Sequence, residues 1–280
     1  AIGYRAMTVD TAGGTRNIAI GNYAADALTS GDNNTIIGHN VASNLTTGGN
    51  NTAMGMDALL ATSTQSNNTA FGYQALRANT AADNTAFGKD ALVLNTTGDQ
   101  LTSIGVESLQ ANTTGHSSIA VGYRALYSNT TASYNVAVGK RALQANTTGA
   151  DNVAVGGDAL VANTTAANNT AVGRSALQAN TTGTYNTAVG KSALAANTTA
   201  NGNTALGVSA MIGNTTGANN IAVGYGALYA NTTGTRNVVI GVEAMDDSDT
   251  ESDNMAIGYQ AMTVNTAGGT QNVALGNYAL

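Results

Sequence analysis

The sequence predicts an all-β protein, a parallel β-solenoid (β-roll) of about 16 turns with about 17 residues per turn. Three observations predict it. Glycines recur at Gly3, Gly21, Gly38, Gly55, Gly72, Gly88, Gly105, Gly122, Gly139, Gly156, Gly173, Gly190, Gly207, Gly224, Gly241, Gly258 and Gly276. Ten consecutive steps, from Gly88 to Gly258, are each 17 residues, and the outliers are 16 or 18. The three residues before each of these glycines alternate with the period of a strand. Finally, no helix-length stretch escapes interruption by Gly and Asn, which weaken a helix interior.

The period itself excludes other repeat architectures. Helix-pair repeats need about 33 to 47 residues and propeller blades about 40 or more. Seventeen residues suit one solenoid turn built from short strands and tight turns. The consensus is N-T-A-V-G-x-x-A-L-x-A-N-T-T-G-x-x, with a clean copy beginning at Asn186. One continuous array is expected across residues 1–280.

Taken in chain order, the repeat starts with a strand. The residue before Gly is large and apolar, as in Ile20, Ile37, Met54, Phe71, Phe87, Ile104, Val121, Val138, Val155, Val172 and Val189. Two residues earlier stands Thr or a β-branched aliphatic, as in Thr69, Val136, Thr170 and Ile221. By size, both are assigned to the core face. The residue between them is Ala in most turns (Ala53, Ala70, Ala120, Ala137, Ala154, Ala171) and is assigned to the outside. An outward row of Ala suits close approach by another copy of the chain, or Ala is simply tolerated there.

The glycine follows, at a point where a Cβ would obstruct the backbone. Repeat glycines Gly122, Gly139, Gly156, Gly173 and Gly190 represent the column. Next comes Ala-Leu-x-Ala, whose Leu126, Leu143, Leu160, Leu177 and Leu194 are expected to stack in the core. Each buried leucine contributes roughly 1.5–3 kcal/mol. Asn then supplies the turns, at Asn112, Asn129, Asn146, Asn163, Asn180 and Asn197 and again ahead of each strand, as at Asn186 and Asn203. Asn tolerates left-handed backbone, and stacked Asn side chains can bond one another along the axis.

Composition agrees with a thin core. Charged residues are 9 %, against an ordinary share of about a quarter. Pro, Cys and Trp are absent. Ten basic residues, scattered through a chain of net charge −6, supply no nucleic-acid surface. Without cysteine there are no disulfides or thiolate metal sites. No apolar run reaches the roughly 18 residues of a membrane span.

Residues 256–270 repeat residues 1–15 with two changes, Arg5 to Gln260 and Asp10 to Asn265. Each copy carries a glycine pair, Gly13-Gly14 and Gly268-Gly269, and the offset of 255 residues is fifteen repeats of 17. This second period leads to the expectation that the chain is a segment of a longer array.

Catalytic chemistry finds no pattern, and no enzyme activity or cofactor is expected. His39 and His116 occupy variable positions. Gly224-Tyr225-Gly226 is a lone G-x-G inside a repeat, not a phosphate loop. The one charge cluster runs from Glu243 to Asp253. Its Asp246, Asp247, Asp249, Glu251 and Asp253 form a weak calcium candidate, because close carboxylates suit a hard cation, although no defined calcium loop has this spacing. Asn-Thr-Thr also matches the N-glycosylation pattern, a signal that the repeat already explains. Tyr4, Tyr73, Tyr123, Tyr225 and Tyr259, each just after a repeat glycine, are expected to be exposed.

The motif Ala188-Val189-Gly190-Lys191-Ser192-Ala193 resembles the head repeats of trimeric autotransporter adhesins, the YadA-like or Hep/Hag class. The longer string from Asn220 to Gly234 is similar to repeats of long phage tail-fibre proteins. The resemblance covers essentially the whole chain, and it departs from the adhesin head in having more residues per turn. It implies a homotrimer, with itself as the main partner and a cell-surface glycan or receptor as a further one. It also implies an extracellular, cell-surface or virion location, and a role as a stiff fibre shaft presenting a tip. A self-assembling extracellular filament is the alternative. An ice-binding solenoid is a distant third, because it needs two outward Thr per strand.

Overall fold

The structure, a computed structural model, describes residues 1–9, 13–263 and 269–279. Asp10, Asn265 and Gly268, invoked above for the long period, lie outside the described residues. The chain divides into two compact units, Ala1–Asn135 and Val136–Leu280. Each is a parallel β-solenoid, and no helix occurs among the described residues. The first unit holds β1 (Ile18–Ile20), β2 (Thr35–Ile37), β3 (Thr52–Met54), β4 (Thr69–Phe71), β5 (Thr85–Phe87), β6 (Thr102–Ile104) and β7 (Ile119–Val121). The second holds β8 (Val136–Val138), β9 (Val153–Val155), β10 (Thr170–Val172), β11 (Thr187–Val189), β12 (Thr204–Leu206), β13 (Ile221–Val223), β14 (Val238–Ile240), β15 (Met255–Ile257) and β16 (Val273–Leu275).

Within each unit, successive strands pair in parallel and in register. Thr170, Ala171 and Val172 lie beside Thr187, Ala188 and Val189. One residue per position and one turn per 17 residues thus place like beside like, as the glycine spacing requires.

The strand faces are the reverse of the sequence expectation. The central Ala points into the core. Ala70, Ala120, Ala137, Ala154, Ala171 and Ala188 are fully buried. The expected core valines, Val121, Val138, Val155, Val172 and Val189, are only half-buried and lie on the outer face. The Thr or aliphatic at the start of each strand lies there too. The physical reason is a narrow interior. Each strand has three residues, so only its middle side chain points inward. That side chain meets a second Ala from the corner after the glycine, as Ala125 and Ala176 show by their complete burial. Paired substitutions identify the contact. Where Ser103 takes the strand position, Ser108 takes the corner, and their hydroxyls hydrogen-bond. The Leu column fills the remaining space, with Leu126, Leu143, Leu160, Leu177 and Leu194 fully buried.

The corner has a backbone cost. Arg141 and Leu143 have φ of 58° and 52°, as do their counterparts in other turns. Left-handed backbone costs an ordinary residue roughly 1–2 kcal/mol. Complete burial of the leucine, roughly 1.5–3 kcal/mol, offsets that strain.

Two Asn columns hold the rest of the interior. In the first, the repeating pattern is an Nδ2 that donates twice, to the Oδ1 one turn back and to the carbonyl three residues on. Asn180 donates to Asn163 Oδ1 at 3.0 Å and to Gly183 O at 3.0 Å, while its own Oδ1 accepts from Asn197 at 2.9 Å. Asn112 does the same toward Asn95 and Gly115. In the second column the side chain bridges to backbone. Asn186 Oδ1 accepts from the N–H of Asn203 at 3.0 Å, and its Nδ2 donates to the carbonyl of Ala200 at 2.8 Å. Buried amides are costly unless paired. Here the stacking pairs them, and bonds arranged head to tail polarise one another.

The glycine column is a close approach. A Cβ on Gly190 would lie 2.3 Å from the carbonyl oxygen of Gly207, and its φ is 138°. Gly157, one residue past the column, has nothing within 4 Å of a built Cβ. Gly190→Ala is therefore expected to destabilise by about 1–3 kcal/mol or more, from backbone strain plus the clash. Gly157→Ala should stay within about 0.5 kcal/mol of the parent. Urea denaturation of both compares them. Asn180→Leu, which strands three buried polar partners, is expected to cost about 3 kcal/mol or more in the same assay.

Candidate interaction surfaces

The outer strand face is the first surface. In the second unit it carries Val136, Val153, Thr170, Thr187, Thr204, Ile221, Val238, Met255 and Val273, beside the column of residues that precedes the glycines. The first unit presents Phe71 stacked on Phe87 with ring centroids 5.3 Å apart. Phe87 is 54 % exposed and Leu206 48 %. The face is apolar because size keeps these side chains out of an Ala-lined interior. A row of exposed large apolar side chains repeated from turn to turn is the kind of surface that marks contact sites. The Thr of the consensus, expected inside, is outside, but its outward neighbour is Val, Ile, Met, Phe or Leu. No strand from β1 to β16 therefore displays two outward Thr.

The second surface is a notch of about 350 Å³ on the second unit, lined by Tyr225, Gly226, Tyr229, Glu243, Asp246 and Asp247. It lies where two successive corners meet. Both tyrosines are exposed. One carboxylate oxygen of Asp246 is buried, and the backbone N–H groups of Asp246 and Asp247 lie close enough to act on the carboxyl. Burial pushes the Asp246 carboxyl up, and the charges of Asp247 and Glu243 add to the effect. Glu243 also accepts from Gln260 at 2.8 Å.

The calcium candidate does not assemble. Asp246 and Asp247 line the notch, but Glu251 and Asp253 turn elsewhere. Glu251 is buried and its Oε2 accepts from the Ser248 hydroxyl and from the N–H groups of Asp249 and Thr250. Asp253 pairs through both oxygens with Arg236, at 2.6 and 2.8 Å. Asp249 is exposed. Among the described residues, no group of three His, Asp or Glu is arranged to hold a metal ion.

Glu251 has a structural task instead. Ser248 stands in the first Asn column, where its hydroxyl turns to Glu251 and leaves Asn231 Oδ1 unpaired. Thr62 also stands in that column, and there its hydroxyl donates to the Asn79 carbonyl while Gln65 Oε1 accepts from the N–H groups of Ser63 and Thr64. Both are S/T-x-x-E/Q segments, in which an acceptor side chain caps turn amides, as in a helix capping box. Sequence reading took the acidic run as one cluster and missed this pattern.

Other sequence candidates fall out plainly. Tyr4, Tyr73, Tyr123, Tyr225 and Tyr259 are exposed. The Asn-Thr-Thr asparagines Asn112, Asn146, Asn163, Asn180 and Asn197 are fully buried, so folded turns hide them from a modifying enzyme. His116 packs edge-on against Tyr134 at 5.0 Å, and His39 against Tyr23 at 6.1 Å. No helix of the described residues is long and apolar enough to cross a membrane.

Ion pairs bridge adjacent turns along the corner. Arg124 pairs with Glu107 at 2.6 Å and Arg141 with Asp158 at 2.7 Å. The Arg236 hydrogen bond holds the Asp253 carboxyl below the ordinary value of 3.8, whereas burial holds Asp246 above it. Carboxyl-detected NMR titration is expected to protonate Asp246 before Asp253 as pH falls. The linkage signs are opposite. The Asp253 contribution to stability is present above about 3.8 and is lost as pH drops through its depressed value. That of Asp246 is present below about 3.8 and is lost as pH rises through its elevated value. No family model matches the chain, and no curated protein matches it.

Proposed function

We propose that the chain is a structural shaft, a solenoid that associates with copies of itself along its outer strand face. As such it would serve as a stiff spacer in a phage tail fibre or a surface adhesin outside the cell. One observation carries this reading: the residue before each repeat glycine, Val, Ile, Met, Phe or Leu in every strand from β1 to β16, lies on the outer face and not in the interior. Leu206 and Phe87 stand about half exposed in a register that places like beside like. A copy of the same chain offers the same spacing, so burial of one column by another proceeds turn by turn. Each Val or Ile buried in this way contributes roughly 1.5–3 kcal/mol relative to full exposure, less for side chains already half-buried.

The interior supports a mechanical role. Within each unit most turns are tied to their neighbours by strand bonds and by one or both amide columns, and such stacks gain stability by nearest-neighbour interfaces. The family resemblance of the motif points the same way and favours three copies. A cell-surface glycan or receptor would then be met by a tip that the shaft presents, and the shaft itself is read as carrying neither catalysis nor a cofactor.

Analytical ultracentrifugation of the purified chain tests the reading. A discrete oligomer, with three copies expected, supports the shaft, whereas open-ended polymers support the self-assembling filament. A monomer at tens of micromolar overturns both. Val155→Lys with Val172→Lys, on the outer face, is expected to shift the chain to monomer while leaving its far-UV circular dichroism unchanged.

A further inference from the structure

Only two of the repeat turns carry tyrosine at both the first and the fifth position after the glycine, Gly122-Tyr-Arg-Ala-Leu-Tyr127 and Gly224-Tyr-Gly-Ala-Leu-Tyr229. They lie 102 residues apart, six repeats of 17. In the first, the Arg124 guanidinium lies over both rings, 5.2 Å from the centroid of Tyr123 and 5.0 Å from that of Tyr127. Its Nε also donates to Glu107 one turn away at 2.6 Å. The turn is a cage for a planar cation, and the chain fills it itself.

The second turn has the same two rings with Gly226 in the place of Arg124. Gly226 is the only glycine at that position along the array, where other turns carry Arg, Asp, Glu, Gln, Ser, Asn or Tyr. One turn on stands the carboxylate of Glu243, as Glu107 stands one turn back from Arg124. Asp246 and Asp247 line the same notch and add two more acidic residues. The result is a notch of about 350 Å³, at the lower end of the range for small-ligand sites. It is lined by two tyrosines and three acidic residues, and among the described residues no cation of the chain lies over either ring.

We propose that this notch binds a guanidinium group from outside the chain, as an arginine side chain of another protein or as a small arginine-like molecule. The chemistry is that of the Arg124 turn. A guanidinium over a tyrosine face is attracted by the ring quadrupole. Its planar donors match carboxylate oxygens in a way that an ammonium does not. Glu243 and Asp247 line the notch beside Asp246, so its walls carry the negative charge that a guanidinium placed between the two tyrosines would meet. This inference is independent of the self-association proposed above, because the notch lies at the corners and not on the strand face.

The test is titration of the full chain, by calorimetry and by amide NMR, with N-acetyl-L-arginine amide and its neutral analogue N-acetyl-L-citrulline amide. Saturable arginine binding at least about tenfold tighter than citrulline is expected, since charge and ring attraction both vanish in the analogue. The shifts should centre on Tyr225, Tyr229 and Glu243. Gly226→Arg is expected to abolish binding by supplying the cation in cis. The backbone accepts it, because Arg124 holds a φ of 55° where Gly226 has 61°. Glu243→Gln, a milder change, should weaken binding about fivefold or more. Equal affinity for arginine and citrulline, no saturation by tens of millimolar, or unchanged affinity in both variants would each overturn the proposal. A Gly-Gly-Arg-Gly-Gly peptide separates the sources: tighter binding of the peptide assigns the site to a protein partner, and tighter binding of the amide assigns it to a small molecule.

Discussion

Every turn in this chain is constrained by the width of its own interior. A three-residue strand sends one side chain inward, and that side chain must share the space with a corner residue, a leucine and two amides. Ala is the common solution at both facing positions because little else fits. The exceptions show the limit: Ser103 brings Ser108 with it. Ile36 faces the corner held by Val41, and a Cβ on the nearby Gly38 would lie 2.9 Å from the Val41 side chain. From this narrowness follow the outward position of the large aliphatics, the left-handed leucines and the glycine column. A wider turn would relieve all three. It would also lose the close carbonyl approach, of which the 2.3 Å between a built Gly190 Cβ and Gly207 O is the measure.

The buried asparagines are the second consequence. An interior lined by Ala leaves backbone amides and carbonyls of the turns facing inward without water. Asn is the residue that can answer both, with a carbonyl and two N–H donors on a short stem. Stacked one turn apart, Asn163, Asn180 and Asn197 satisfy one another and the local carbonyls together. The column is interrupted where hydroxyl residues take its place, at Thr62 and Ser248, and there a Gln or Glu caps the turn amides instead. Such ends are the points where the periodic solution is exchanged for a local one, and the unpaired Asn231 Oδ1 records what the exchange costs.

Much of this was legible in the residues alone. The period, parallel register, leucine column, amide columns and glycine clash follow from spacing and residue type, since in a solenoid spacing along the chain becomes adjacency in space. The strand face did not follow. Alternation says only that Thr170 and Val172 share a face and that Ala171 has the other; which face is the core was judged by size, a rule for interiors wide enough to take large side chains. The correlated substitutions at residues 103 and 108, five apart, held the information that Ala faced Ala. The acidic run was misread for a related reason. Proximity in sequence was taken for convergence, although in this fold neighbours in space are 17 apart, and Asp253 finds Arg236 and Glu243 finds Gln260 at that distance.

The same geometry decides where individuality can arise. Core positions are packed against their counterparts above and below, and some changes there come paired, as Ser103 with Ser108, while Val239 enters alone among Ala222, Ala244 and Ala256. Corner positions after the glycine face solvent on one side and bear only on the adjacent corners. There Arg, Glu, Asp, Gln, Ser and Gly exchange freely, and a single substitution alters one local surface without disturbing the stack. The two tyrosine-paired turns show how far that freedom reaches. With Arg124 the rings are covered and the charge is balanced by Glu107. With Gly226 the rings are bare and face Glu243, Asp246 and Asp247. A repeat that varies little inside thus has its chemical variety concentrated at the corners, and it is there that specific recognition by this solenoid would be written.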